Sequence, residues 1–108
     1  MSLPIHVTLA AWYDLEEIIA WIQENDSEAN ADYVLDRIMQ TAESIATMPP
    51  RGTRPKELPP GLQAEFRQVF FKPYRVLYEI TAEMIVIHLI ADGRRDLRSL
   101  LMRRLFPG

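Results

Sequence analysis

Leu3, Ile5, Val7 and Leu9 alternate with Pro4, His6 and Thr8, the period-two pattern of a short half-buried strand over residues 3–9. Pro4 has no amide proton to give to a ladder, which places it at the start or the edge of that strand. From Ala10 the period changes. Trp12, Leu15, Ile19 and Ile22 recur at helical spacing, with Asp14, Glu16, Glu17 and Gln23 on other faces. Asn25-Asp26-Ser27 breaks this helix and offers an N-cap for a second. That second helix is expected from about Glu28 to Met48, with Ala31, Leu35, Ile38, Ala42 and Ile45 turned inward and Pro49-Pro50 as its stop. So short a turn between two helices predicts an antiparallel hairpin.

Pro49 to Gly61 holds five prolines and two glycines in thirteen residues, a stiff connector with little regular structure. Three strand-like runs follow, Ala64–Phe71, Tyr74–Ile80 and Met84–Ile90, with turns at Lys72-Pro73 and Thr81-Ala82-Glu83. They predict an antiparallel meander. Beyond Asp92-Gly93, the run from Asp96 to Phe106 puts Leu97, Leu100, Leu101 and Leu105 on one side of a short helix. The predicted order is βααβββ(α), an α+β fold in which a helical hairpin packs as one layer on one mainly antiparallel sheet. At 108 residues the chain supports one modest core, so residues 1–108 are expected to form a single domain.

Composition narrows the class. Hydrophobic residues make up 48% and charged residues 25%, a globular balance rather than a disordered one. No apolar run approaches the roughly 20 residues of a membrane span, and the start lacks a signal-peptide pattern, so a cytoplasmic protein with no membrane partner is expected. With no cysteine, disulfides, thiolate chemistry and thiol-ligated zinc are excluded. Two histidines alone do not suggest a metal site, and no cofactor is expected. The net charge of −3 hides an asymmetry: residues 1–50 hold nine acids against one base, Arg37, while residues 51–108 hold eleven Lys/Arg against six acids. One acidic and one basic face follow. A nucleic-acid enzyme is more often basic throughout, which counts mildly against an RNA substrate.

The candidate residues each admit a plain structural role. His88, mid-strand among Ile87, Leu89 and Ile90 and expected to face away from its neighbours, is read as a hydrogen-bonded structural residue. Glu16 and Glu17 are adjacent on a helix and do not face each other, so they are read as a solvated surface. Arg94-Arg95-Asp96 has two readings of equal weight. In one, Asp96 caps the last helix while an arginine pairs with a carboxylate such as Glu79. In the other, Arg67, Arg75, Arg94, Arg95 and Arg98 form a cationic patch for a target. Trp12, Tyr13 and Trp21 are core candidates first, but three large aromatics on one helix exceed what so small a core hides. Partly exposed, they would mark a partner groove.

Leu15-Glu16-Glu17-Ile18-Ile19-Ala20-Trp21-Ile22, Pro49-x-x-Gly52 with Glu57-Leu58, and Glu65-Phe66-Arg67 stand in the order and spacing of a known superfamily. So does Pro73-Tyr74-Arg75-Val76-Leu77-Tyr78-Glu79-Ile80, running through Val86-Ile87-His88-Leu89-Ile90 to Asp92-Gly93-Arg94-Arg95-Asp96. Over nearly its whole length the chain resembles the ParE/RelE toxins of type II toxin–antitoxin pairs, among them plasmid-stabilisation toxins that arrest growth. The resemblance implies the layout just predicted and a cognate antitoxin, a short and partly disordered chain that folds on binding over the hairpin and sheet edge. Its C-terminal part is expected to balance the basic half of this chain. The resemblance leaves a homodimer and a heterotetramer with antitoxin both open.

Two activities come with the resemblance. RelE-like relatives are ribosome-dependent endonucleases of mRNA, whose sites need cations for phosphate and an acid or base for the 2′-hydroxyl and leaving group. Arg75 and Arg95 match arginines of those relatives, with Arg67 as a third cation. The lysine pair of the preceding strand is missing, and the position of the C-terminal tyrosine holds Leu101. Two arginines without an acid/base partner bind phosphate better than they cleave it. The resemblance therefore leans to the ParE-like inhibitors of DNA gyrase, a non-enzymatic role, with the ribosome and mRNA as the alternative target. A degenerate toxin that only binds its antitoxin is the third reading.

Overall fold

In the computed structural model, residues 2–62 and 64–107 are described. The elements run β1 (Ile5–Val7), α1 (Leu9–Asn25), α2 (Glu28–Thr47), β2 (Glu65–Phe71), β3 (Tyr74–Ile80), β4 (Ile85–Asp92) and α3 (Leu97–Leu105), with a 3₁₀ turn at Pro49–Arg51. Each helix starts on a side-chain cap. Thr8, Ser27 and Asp96 accept from the amides of Ala11, Asn30 and Ser99 respectively, satisfying donors that a helix start leaves free. The sheet order is β1-β4-β3-β2. β2, β3 and β4 form the antiparallel meander, and β1 joins β4 in parallel. Pro4 sits just before β1 and its carbonyl accepts from Ile85 N at 2.9 Å, which is how a proline can begin a strand.

The hairpin covers one face of the sheet. Ala11, Leu15 and Ile22 of α1 and Ala31, Val34, Ile38, Ala42 and Ile45 of α2 pack on Val69, Val76, Tyr78, Ile85, Ile87 and Ile90. Burying each of the larger aliphatic side chains contributes roughly 1.5–3 kcal/mol. Trp12 stands outside this set at 39% exposure, although its spacing with Leu15 and Ile22 had suggested the core face.

The helices do not form one layer. A second cluster on the opposite face joins Leu58 of the connector, Phe66, Leu77, Leu89 and Ala91 of the sheet, and Leu97 and Leu101 of α3. The reason lies in β4, where Leu89, Ile90 and Ala91 are consecutive and all buried. A strand apolar on successive positions must be covered on both faces, so α3 and the connector lie opposite the hairpin.

His88 also faces differently from the alternating expectation. The β3–β4 register shifts between Leu77, opposite Leu89, and Tyr78, opposite Ile87, leaving His88 as an extra residue. This bulge puts the strand out of step. Ile87 and Ile90 serve the hairpin core while Leu89 serves the other, and His88 packs edge-on against Phe66 of that second cluster at 5.8 Å.

Tyr78 anchors the connector. Its fully buried hydroxyl donates to Pro49 O at 2.6 Å and accepts from Gly52 N at 3.1 Å. Thr53 then exchanges two backbone hydrogen bonds with Gln68 on the outer edge of β2. Gly52 is required by this close approach: a Cβ there would lie 2.5 Å from Gln68 O and 2.7 Å from the Tyr78 hydroxyl.

Candidate functional site

Of the five arginines read as one target-binding patch, Arg94 and Arg95 line one groove, while Arg67 and Arg75 face opposite sides of the sheet. Arg75 is committed within the fold. Its guanidinium donates to both carboxylate oxygens of Glu57 at 2.8 and 2.9 Å and, through Nε at 2.9 Å, to Gln68 Oε1. It also lies over the Phe70 ring at 5.5 Å. Only 11% of the side chain is exposed. Hydrogen bonds from Arg75 hold the Glu57 carboxyl below its ordinary pKa, against the opposing effect of burial. Arg67, opposite Tyr78 in register, shares the hairpin side of the sheet and donates to Gly52 O at 2.9 Å and to Glu65 at 3.1 Å.

Arg94 pairs with Asp92 through Nε at 2.9 Å and a second nitrogen at 2.5 Å, with 80% of its side chain exposed. These bonds lower the Asp92 pKa. The arginine of the structural reading thus pairs with Asp92, not Glu79, whose carboxylate is 2.9 Å from His88 Nε2. Asp96 caps α3 as expected, and its bonds from Ser99 lower its pKa. Arg95 and Arg98 make no side-chain hydrogen bond or ion pair among the described residues.

The aromatic residues of α1 separate as well. Trp12 and Trp21 are nine positions apart on one helix, about two and a half turns, so they leave opposite sides of it. Trp12 lines an apolar groove with Ile5, Val7 and Met39. Trp21, 63% exposed, lines a different groove of about 320 Å³ with Glu17, Ile18, Tyr74, Ile90 and Arg95. Burial raises the Tyr74 pKa above its ordinary value, keeping the phenol protonated. Tyr13 is half exposed between the two. The second groove is the only place where a residue of the aromatic set meets Arg94 and Arg95 among the cavities found over the described residues. Its lining combines apolar surface from Ile18, Trp21, Ile90 and Ala91 with the carboxylate of Glu17 and the free guanidinium of Arg95, a lining suited to a peptide rather than to covalent chemistry. Among the described residues no group of three His, Cys, Asp or Glu is placed to hold a metal.

One element of this groove had no signal in the sequence. Asp14, in its lining, forms a bidentate pair with Arg104 of α3, both distances 2.9 Å. The partners lie at opposite ends of the chain, and neither stands in a recognisable motif, so only their packing reveals them.

A hairpin on one face of a four-stranded mixed sheet, with α3 on the other, is the α+β fold of RelE/ParE-like toxins. A P. aeruginosa structure described as a chromosomal ParDE TA system superposes with a TM-score of 0.71 at 19% identity, covering 84% of this chain and 96% of that one. A Mycobacterium tuberculosis toxin–antitoxin complex, RelBE2, superposes with a TM-score of 0.62 at 20% identity, covering 85% and 99%. The family described as "ParE toxin of type II toxin-antitoxin system, parDE" matches residues 5–97. Toxin ParE3 of Caulobacter vibrioides is 32% identical over 91 residues, 84% of this chain and 87% of that protein. The chain belongs to the ParE toxin family. No helix among the described residues is long and apolar enough to cross a membrane.

Proposed function

We propose that this ParE-family toxin acts by binding DNA gyrase and arresting it on cleaved DNA, and that a cognate antitoxin encoded with it neutralises it. The observation that carries this reading is the state of Arg75. The arginine that would have to hold RNA phosphate in a ribosome-dependent nuclease has its charge neutralised by Glu57 and four of its five N–H donors taken by Glu57 and Gln68. Freeing it means breaking a pair that is shielded from water, and leaving Glu57 without its partner costs several kcal/mol. Leu101 further lacks the proton-transfer chemistry of a tyrosine at that place. Family membership supports both the toxin role and the antitoxin partner.

The antitoxin contacts proposed are the exposed aromatics of the hairpin, with the Trp21–Tyr74 groove as the seat of one apolar anchor and the Trp12 groove of another. The test is a gyrase supercoiling assay with purified toxin, run with and without antitoxin. Loss of supercoiling with accumulation of cleaved plasmid, reversed by antitoxin, is the expected result. Untouched gyrase together with position-specific cuts in ribosome-bound mRNA would replace this reading by the nuclease one. Harmlessness in both assays would leave a chain that only binds its antitoxin.

A further inference from the structure

We propose that the cleft between α2 and the connector, walled by Arg37 and Arg51, is a binding site for a phosphate monoester. Arg37 is the one base among the first fifty residues, set in a hairpin of nine acids. A cation so placed ordinarily pairs with a neighbouring carboxylate on its own helix. Arg37 does not. It lies over the Phe71 ring at 5.6 Å and makes no ion pair among the described residues. The cleft's other lining residues are Gln40, Thr41 and Ser44 of the same helix, Arg51 and Phe70, with no carboxylate among them. The nearest acids on α2 are turned to other work. Asp36 accepts from Gln40 at 2.9 Å, and Glu43 lines the Trp12 groove on the other side of the helix.

Arg51 comes from the 3₁₀ turn that Pro49-Pro50 imposes, and its guanidinium donates to the Ser44 hydroxyl. The Ser44 hydroxyl in turn donates to Thr41 O at 2.6 Å, so the contact holds Arg51 in place without neutralising it. Two guanidinium groups thus line one cleft of about 220 Å³. No carboxylate lines the cleft with them, although the chain as a whole is acidic. An anion seated there would meet both charges.

The charge to be matched is two, which a phosphate monoester supplies and a single carboxylate does not. Guanidinium forks also suit the three oxygens of a phosphate. Phe70 at the lip is 50% exposed and offers apolar surface next to the anion. An organic phosphate such as a nucleotide should therefore bind better than inorganic phosphate. The site stands apart from the groove of Trp21 and does not depend on which target the toxin hits.

The experiment is an NMR titration of the intact ¹⁵N-labelled chain at fixed ionic strength. The probes are inorganic phosphate, thymidine 5′-monophosphate, sodium acetate, and an oligonucleotide with and without a 5′-phosphate. The expected result is saturable shifts of the Arg37 and Arg51 Nε–H signals and of the Thr41 and Ser44 amides with the phosphates. Arg37→Gln and Arg51→Gln should each weaken binding at least tenfold, and Arg103→Gln should leave it unchanged. Preference for the free mononucleotide would identify a nucleotide site, and preference for the 5′-phosphorylated oligonucleotide over its unphosphorylated twin would identify a strand terminus. The proposal is overturned if the shifts never saturate, if they map elsewhere, or if acetate produces them equally. That last outcome would make the cleft a seat for an acidic side chain of a partner. Arg37 is exposed and stacks on one ring only, so its variant retains the fold even where Arg51→Gln loosens the connector.

Discussion

Asp14 and Arg104, ninety residues apart, close the open edge of β4 together. β1 is only three residues long and pairs with β4 no further than Ile87. Past that point the His88 carbonyl accepts from Arg104 at 2.6 Å and the Ile90 amide donates to Asp14 at 3.0 Å. The ion pair thus does for two backbone groups what a longer β1 would have done. It also ties α1, β4 and α3 to one another across the end of the sheet, and its hydrogen bond raises the Arg104 pKa.

Breaking that pair should loosen α3. The two side chains are 23% and 17% exposed, so Asp14→Asn or Arg104→Gln is expected to cost about 1–3 kcal/mol, less than for a fully buried pair. In the double variant the losses should be less than additive. Urea denaturation of the three variants measures this, and faster amide exchange at Ile90 should accompany each single change. Additive losses would mean that the two groups act independently.

The Glu57–Arg75 pair carries a pH signature. The carboxyl pKa is lowered below its ordinary value of 4.5 in the folded chain. Its contribution is therefore complete above that value and is lost as pH falls through the folded value. Glu57→Gln is expected to destabilise by about 2–4 kcal/mol at neutral pH, as a largely shielded pair broken on one side does. The gap between wild type and variant should narrow in acid. Thermal unfolding from pH 7 down to 3 reads this directly, and a gap that stays constant would contradict the assignment.

Tyr78→Phe removes one hydroxyl that serves two buried backbone groups, Pro49 O and Gly52 N. A loss of about 1–3 kcal/mol is expected for leaving such groups unsatisfied. Gly52→Ala should be at least as damaging, because the added methyl meets the Gln68 backbone carbonyl as well as the Tyr78 hydroxyl, and the backbone cannot swing away. Chemical denaturation ranks the two. A neutral Gly52→Ala would show that the connector does not approach β2 as closely as described.

Trp12→Ala and Trp21→Ala should weaken antitoxin binding separately and additively, each by about tenfold or more if its groove holds an anchor residue. Their placement on opposite sides of α1 leaves no contact through which the effects could couple. Calorimetry with the cognate antitoxin tests this. Unchanged affinity in both variants, with the fold intact, would remove the aromatic grooves from the partner surface.

Much of the fold was legible because its signals are local. The switch from period two to helical spacing near Leu9, the Ser27 cap and the Pro49-Pro50 stop all act within a few residues, and the elements begin and end close to where these signals put them. The order of elements, matched to a family layout, supplied the sheet. Most of the hairpin core follows from helical spacing, but Ala11 and Val34 join it as further buried residues, Ile19 and Leu35 are only partly buried, and Trp12 stands outside. The candidate site was legible only as residue types. Arginine, tryptophan and tyrosine stand out in the sequence, but their grouping in space does not, because the sequence orders residues along the chain and not around a helix or across a strand.

The sequence by itself determined the succession of helices and strands, the charge asymmetry and the family, since periodicity, caps, breakers and motif spacing need no knowledge of distant contacts. Only the tertiary structure decided which face α3 covers, where His88 turns, and which arginines remain free. Those outcomes depend on a one-residue bulge in β4 and on which of several carboxylates packing brings within hydrogen-bonding reach. Glu57 lies eighteen residues from Arg75 and Asp14 ninety from Arg104, and a charge pair at such separation exists only once the chain between has folded.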